Sequence, residues 1–240
     1  MKEISPGPAA FHELTGAADR LLRAIEDLGD ADVRAPSRLP GWTRAHVLSH
    51  LAAQAPALER LLTWARTGVR TPQYTSRTAR DADIETGARL PAADLVARVR
   101  DSAAHWQHTV ETLPAPAWDA VVVPFTGEVC TPRRILVIRL RELALHLVDL
   151  DVGREVSDIP PTARDIVLAD VIGYYSAADG VPPFTVRTTD GAELARFGGG
   201  GGGGPEVSGT PGDLLAWFSG RAGGDALHAP HGLPALPPWI

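Results

Sequence analysis

The chain has 240 residues, 44% of them hydrophobic and 22% charged, with a net charge of −6. That length suits one or two domains with a substantial core, and the acidic balance argues against nucleic acid or an anionic membrane surface as the main partner. A single cysteine, Cys130, excludes an intramolecular disulfide, and neither a membrane-spanning stretch nor the apolar core of a signal peptide is readable. The expectation is a cytoplasmic, monomeric protein that binds small molecules.

Four helices are predicted in the first 150 residues. The first covers about 9–28, with Leu14, Ala18, Leu21, Leu22, Ile25 and Leu28 at helical spacing. The second opens after Gly41-Trp42 with Thr43 as N-cap, carries Val47, Leu48, Leu51, Ala55, Leu58 and Leu62 on one face, and ends at Gly68. Pro56 lies inside it and should kink or split it. The third covers about 91–113, and the fourth starts at Thr131-Pro132 and runs to about Leu150. The connections 68–90 and 114–131 are long, and long connections are more often functional than idle. Together these elements predict a four-helix bundle over 1–157.

A linker is expected near Asp158-Ile159-Pro160-Pro161, followed by a small α+β domain over 162–240 that closes one side of the site. Thr162 reads as the cap of a helix to about Ala178. VPPFTVRTT and PEVSG read as strands, and PGDLLAWFSGR as a short helix. The Gly198–Gly204 run matches a glycine-rich phosphate loop only trivially and reads as a hairpin loop. The fold class is therefore α+β.

Glu142 and His146 are four residues apart in RILVIRLRELALHLVDL, so both leave one face of a helix that is apolar nearly all round. A carboxylate in such a helix must be paired or bound to a metal. Arg139 and Arg141 are the available ion-pair partners. A third ligand would come from the second helix, where His46 and His50 are one turn apart and the pattern does not choose between them. Asp149 is placed to accept from a ligand imidazole.

LPGWTRAHVLSHLA, WARTG, TPQY with Ala79-Arg80, RELALHLVDL, VSGTPGDLLAWFSGRAGG and the terminal LPALPPW resemble the mycothiol-dependent maleylpyruvate isomerases, within the DinB-like metal-binding helical superfamily. The resemblance implies Zn²⁺ held by His50, Glu142 and His146, with a fourth position for water or a substrate thiol. It implies mycothiol as thiol cofactor and a functional role for Arg221. Leu136 and Leu145 stand where tryptophans are expected of that family.

The implied reaction converts maleylpyruvate to fumarylpyruvate in gentisate degradation. A thiolate adds to the conjugated double bond, the resulting single bond rotates, and elimination returns the trans alkene. Arg221 and Arg80 are candidates to stabilise the enolate and substrate carboxylates, because a guanidinium bonds a carboxylate bidentately. Tyr74 is a candidate pocket residue. Mycothiol S-transferases share the same motifs and are the alternative; a zinc hydrolase would differ in needing no thiol.

Overall fold

The structure is a computed structural model that describes residues 8–198 and 204–239. Two compact units divide the chain, Met1–Arg154 and Glu155–Ile240. Most of the glycine run lies outside the described residues. Among the described residues no helix is long and apolar enough to cross a membrane.

The first unit contains α1 (Pro8–Ile25), α2 (Asp30–Arg34), α3 (Arg44–Thr67), α4 (Arg77–Gly87), α5 (Ala92–Glu111) and α6 (Pro132–Asp149). α1 packs on α6, α6 on α3, α3 on α5 and α5 on α1, closing a four-helix ring around Leu14, Leu21, Leu48, Leu58, Leu95 and Leu140. Thr43 caps α3 as expected: its backbone is extended and its N–H donates to His46 Nδ1 at 3.1 Å. Gly68 ends the helix in the left-handed conformation (φ +72°), its N–H donating to the Trp64 carbonyl. Pro56 does not split α3, which is continuous across it. Pro56 is exposed, so its ring lies outside the packed core of the bundle.

The long connection 68–90 is not an irregular loop throughout, because it contains α4, capped by Ser76 Oγ accepting from the Ala79 N–H. α4 lies along α3, with Ser49 Oγ donating to the Ile84 carbonyl. Its sequence is strongly polar and only Ile84 and Gly87 are buried, so hydrophobic periodicity barely marks it. The crossover follows from helix direction. A Cβ on Gly87 would touch Ser49 of α3 and lie 3.8 Å from Arg98 of α5, whereas His105 meets Glu59 seven residues further along α5. α5 thus runs in the same direction as α3, and parallel neighbours need a connection as long as the helix itself.

In the second unit, α7 (Pro161–Ala177) starts one residue before the expected Thr162 cap: Pro161 occupies the first helical position, where its missing N–H costs nothing. The sheet has three strands, β1 (Phe184–Thr188), β2 (Glu193–Phe197) and β3 (Glu206–Gly209), in the order β2-β1-β3. β1 pairs antiparallel with β2 and parallel with β3. β2 was not readable as a strand, because four of its five residues keep contact with solvent. Phe184 faces Phe197 across the strands, and both pack near Phe218 of α8 (Pro211–Phe218).

Gly87 sets how closely α4 approaches α3. A Cβ there would fall 2.2 Å from Ser49 Oγ and 3.1 Å from Ser49 Cβ. Gly87→Ala must displace Ser49 and its bond to Ile84, at about 1–3 kcal/mol of stability. Urea unfolding checks this, and Ser49→Gly in the same chain should recover part of the loss.

Candidate metal centre

The site is built by the antiparallel register of α3 and α6. Arg44, in the first turn of α3, donates from Nε to the Leu150 carbonyl at 2.7 Å and from Nη2 to the Asp151 carbonyl at 2.6 Å. These are carbonyls at the α6 C-terminus, where a cation is favoured. Further along, Arg139 Nη1 donates to the Leu51 carbonyl and to Gln54 Oε1 at 3.1 and 2.7 Å. Between these two ties, His50 comes opposite Glu142 and His146.

One ligand atom from each of His50, Glu142 and His146 lies within 4.8 Å of the others, a group that could hold a metal ion. Glu142 Oε2 is 2.9 Å from His50 Nε2 and 3.3 Å from His146 Nε2. Glu142 Oε1 accepts from Arg141 Nη2 at 3.2 Å, and His146 Nδ1 bonds Asp149 Oδ2 at 2.8 Å. The Glu142 and His146 side chains remain 16% and 15% exposed, so the group is reachable from solvent.

Burial would raise the Glu142 carboxyl, but hydrogen bonds to His146 and His50 and the Arg141 charge hold it well below the usual carboxylate range. Burial pushes His50 down to about 4 despite its bond to Glu142, so its imidazole is neutral. Burial acts the same way on His146, yet bonds to Asp149 and Glu142 outweigh it and raise its pKa. The arrangement is one ionised carboxylate, one neutral imidazole, and one imidazole made basic by a carboxylate behind it.

His46 is drawn out of this group. Its Nδ1 accepts the Thr43 N–H, and its Nε2 lies 3.5 Å from Glu85 of α4. Of the two arginines beside Glu142 in sequence, Arg141 is its partner; Arg139 is fully buried and turned to α3. Trp42 packs near both histidines, with ring centroids 5.8 Å from His50 and 6.1 Å from His46.

A cavity of about 570 Å³ opens beside His50, between α3, α4 and α5. Tyr74 and Arg80 are among the residues that line it. Arg80 sits over the Tyr74 ring at 6.0 Å, and Tyr74 meets Phe125 edge-on. Burial raises the Tyr74 pKa, so its hydroxyl stays protonated. Arg221 belongs to the second unit, where Nη1 donates to the Ser219 carbonyl at 2.8 Å and the guanidinium lies over Trp239. Burial pushes the Cys130 thiol up to about 12, which removes it as a thiolate source near neutrality. The α4 and α5 side of the cavity, with Asp83, Arg98 and Asp101, was not read from the sequence, because it depends on α4 lying along α3.

The family model described as "Mycothiol maleylpyruvate isomerase N-terminal domain" matches residues 14–151, more than half of the chain. A crystal structure described as that of the mycothiol-dependent maleylpyruvate isomerase superposes with a TM-score of 0.87 at 24% identity, covering 96% of this chain and 95% of that one. A histidine-to-alanine mutant of that enzyme superposes equally well, with the same TM-score, identity and coverage. No curated protein matches the chain by sequence. At this identity the superposition shows the fold: a helical bundle followed by a small unit with a three-stranded sheet and helices. With the family model matching most of the bundle, the chain belongs to the mycothiol maleylpyruvate isomerase family.

Proposed function

We propose that the chain is a zinc- and mycothiol-dependent cis–trans isomerase that converts maleylpyruvate to fumarylpyruvate by reversible thiolate addition. The observation that carries this reading is the convergence of His50, Glu142 and His146 beside a ligand-sized cavity, in a chain of this family. The donor set fits the ion. Tetrahedral zinc with ligand bonds of 2.0–2.1 Å places neighbouring ligand atoms about 3.3 Å apart, and Glu142 Oε2 lies 2.9 and 3.3 Å from the two imidazole Nε2 atoms. Zn²⁺ bound there supplies one property, a lowered pKa for a thiol at its open position.

The chain's own residues do the rest. His50, neutral through burial, offers Nε2 as a lone-pair donor, and Glu142 offers a carboxylate already ionised. Asp149 holds the His146 ring by Nδ1 and so aims Nε2 at the group. Arg80, lining the cavity beside His50, is assigned to a substrate carboxylate, and Tyr74 to the cavity wall. Arg221 is assigned to substrate or thiol on the family resemblance.

The purified protein should contain about one zinc per chain, as expected of a three-ligand site. His50→Ala should abolish it, whereas His46→Ala should keep it and cost about 1 kcal/mol as a lost helix cap. Metal analysis with thermal melts separates the two; full zinc in His50→Ala would remove the site.

Maleylpyruvate should isomerise only when mycothiol is added, followed by the absorbance of the product. Arg221→Ala should lower turnover with zinc retained. Zinc present without isomerisation would redirect the reading to a mycothiol S-transferase, and thiol-independent cleavage of a substrate by water would redirect it to a hydrolase.

Metal binding should weaken as pH falls. Both imidazoles ligate only when Nε2 carries no proton. The His146 pKa is raised, so protons compete for it from above the ordinary imidazole value of about 6.5. His50, held near 4, adds no competition in that range. Chelator competition should therefore show zinc affinity intact above the raised His146 pKa and lost as pH drops through it. An affinity flat down to about pH 5 would contradict the assignment of His146 as a ligand.

A further inference from the structure

We propose that a small cavity between α1, α5 and α6 is a binding site for one monatomic anion, chloride, held by the buried edge of Arg139 and by the Trp106 indole. The site is independent of the zinc and mycothiol reading, because it lies in a different cavity among a different set of helices.

The first argument is a set of buried donors. Arg139 is 1% exposed, and only one end of its guanidinium is satisfied. Nη1 donates to the Leu51 carbonyl and to Gln54 Oε1, both on α3. Nε and Nη2 are buried and have no hydrogen-bond partner among the described residues. Those two nitrogens form the side edge of the guanidinium, whose parallel N–H bonds grip an anion as a fork. Trp106 Nε1, also buried, is unpartnered in the same way. Buried donors are nearly always satisfied, so three of them together call for an acceptor.

The second argument is the space they share. Arg139 and Trp106 line one cavity of about 20 Å³, walled on its apolar side by Phe11, Leu14 and Leu143. Thr15, on the same wall, donates its hydroxyl to the Phe11 carbonyl. Glu59, whose Oε1 is unpartnered too, is not among the residues lining this cavity.

Charge and size then select the occupant. Burial lowers the Arg139 pKa to about 10, although Glu142, Tyr74 and Glu59 act to raise it. The guanidinium therefore keeps its charge near neutrality with too little negative charge around it. A water would accept from the donors and leave that charge uncompensated. A carboxylate or phosphate group needs more room than a space for about one water. Chloride fits the space, accepts from every donor and neutralises the cation. Neutralised, Arg139 holds α6 to α3 at Leu51 and Gln54 with less cost of burial.

Thermal melts of the full chain in sodium chloride and in sodium gluconate, at one ionic strength, test this. The melting temperature should be higher in chloride and climb with its concentration, as for an ion that binds only the folded state. A chelator should leave the climb unchanged, which separates this ion from chloride on a metal at His50. Arg139→Lys keeps a cation and loses the fork, and Trp106→Phe removes one donor from a ring of similar shape. Each should weaken the apparent chloride affinity by about 10-fold. Crystals grown with bromide should show an anomalous peak against the Nε–Nη2 edge of Arg139. Equal melting in the two salts overturns the proposal. So do a climb that the chelator abolishes, wild-type chloride affinity in either variant, and bromide crystals with water in the cavity. Should Arg139→Lys fail to fold, Trp106→Phe and the bromide crystals carry the decision. A chain without zinc or isomerase activity that still shows the chloride effect sinks the functional reading and keeps this site.

Discussion

An ionised carboxylate inside a helical bundle is the constraint on which the first unit turns. Glu142 sits on α6 among residues that pack in the core, and burial alone would favour its neutral form. His50, His146 and Arg141 reverse that preference. Each compensating group comes from a position the helix geometry supplies: His146 one turn on, Arg141 next in sequence, and His50 across the helix pair. A buried charge of this kind is costly unless its partners are held in place. The ties at Arg44 and Arg139, one on either side, hold α3 and α6 in the register that keeps His50 there.

The parallel course of α3 and α5 has a second consequence. It requires a long crossover, and the crossover contains a helix that lies along α3. The cavity is the space left between that helix and its two neighbours, and it opens beside His50. The candidate metal-ligand group and the cavity beside it are therefore products of the same topology. Gly87 and Ser49, where α4 touches α3, govern the width of that space without belonging to the chemistry.

Two neighbouring histidines on one helix illustrate how position divides roles. His46, three residues beyond the cap, turns back to the Thr43 N–H and outward to Glu85. His50, one turn later, is buried and faces α6. The two residues have the same chemistry and the same helix face by period, but helix-end groups need partners from within the chain segment itself. The first histidine serves that need and the second is left for the interior. Arg139 and Arg141 divide in the same way, one joining α6 to α3 and the other paired with the carboxylate.

By itself the sequence determined the bundle helices, the α3 cap at Thr43 and stop at Gly68, the second-unit helices and two of its strands, because amphipathic periodicity, caps and prolines act within a few residues. It also determined that Glu142 and His146 share a face, since that follows from helical pitch alone. It did not reveal α4 or β2, which bury few side chains and so carry almost no periodic signal. The choice of His50 over His46 came from family resemblance and not from pattern. Only the tertiary structure brings His50 beside Glu142, because that contact depends on the register between helices separated by some ninety residues of chain. The cavity was decided there too: its walls come from α3, α4 and α5, and no local rule encodes the distance at which three helices stop approaching one another.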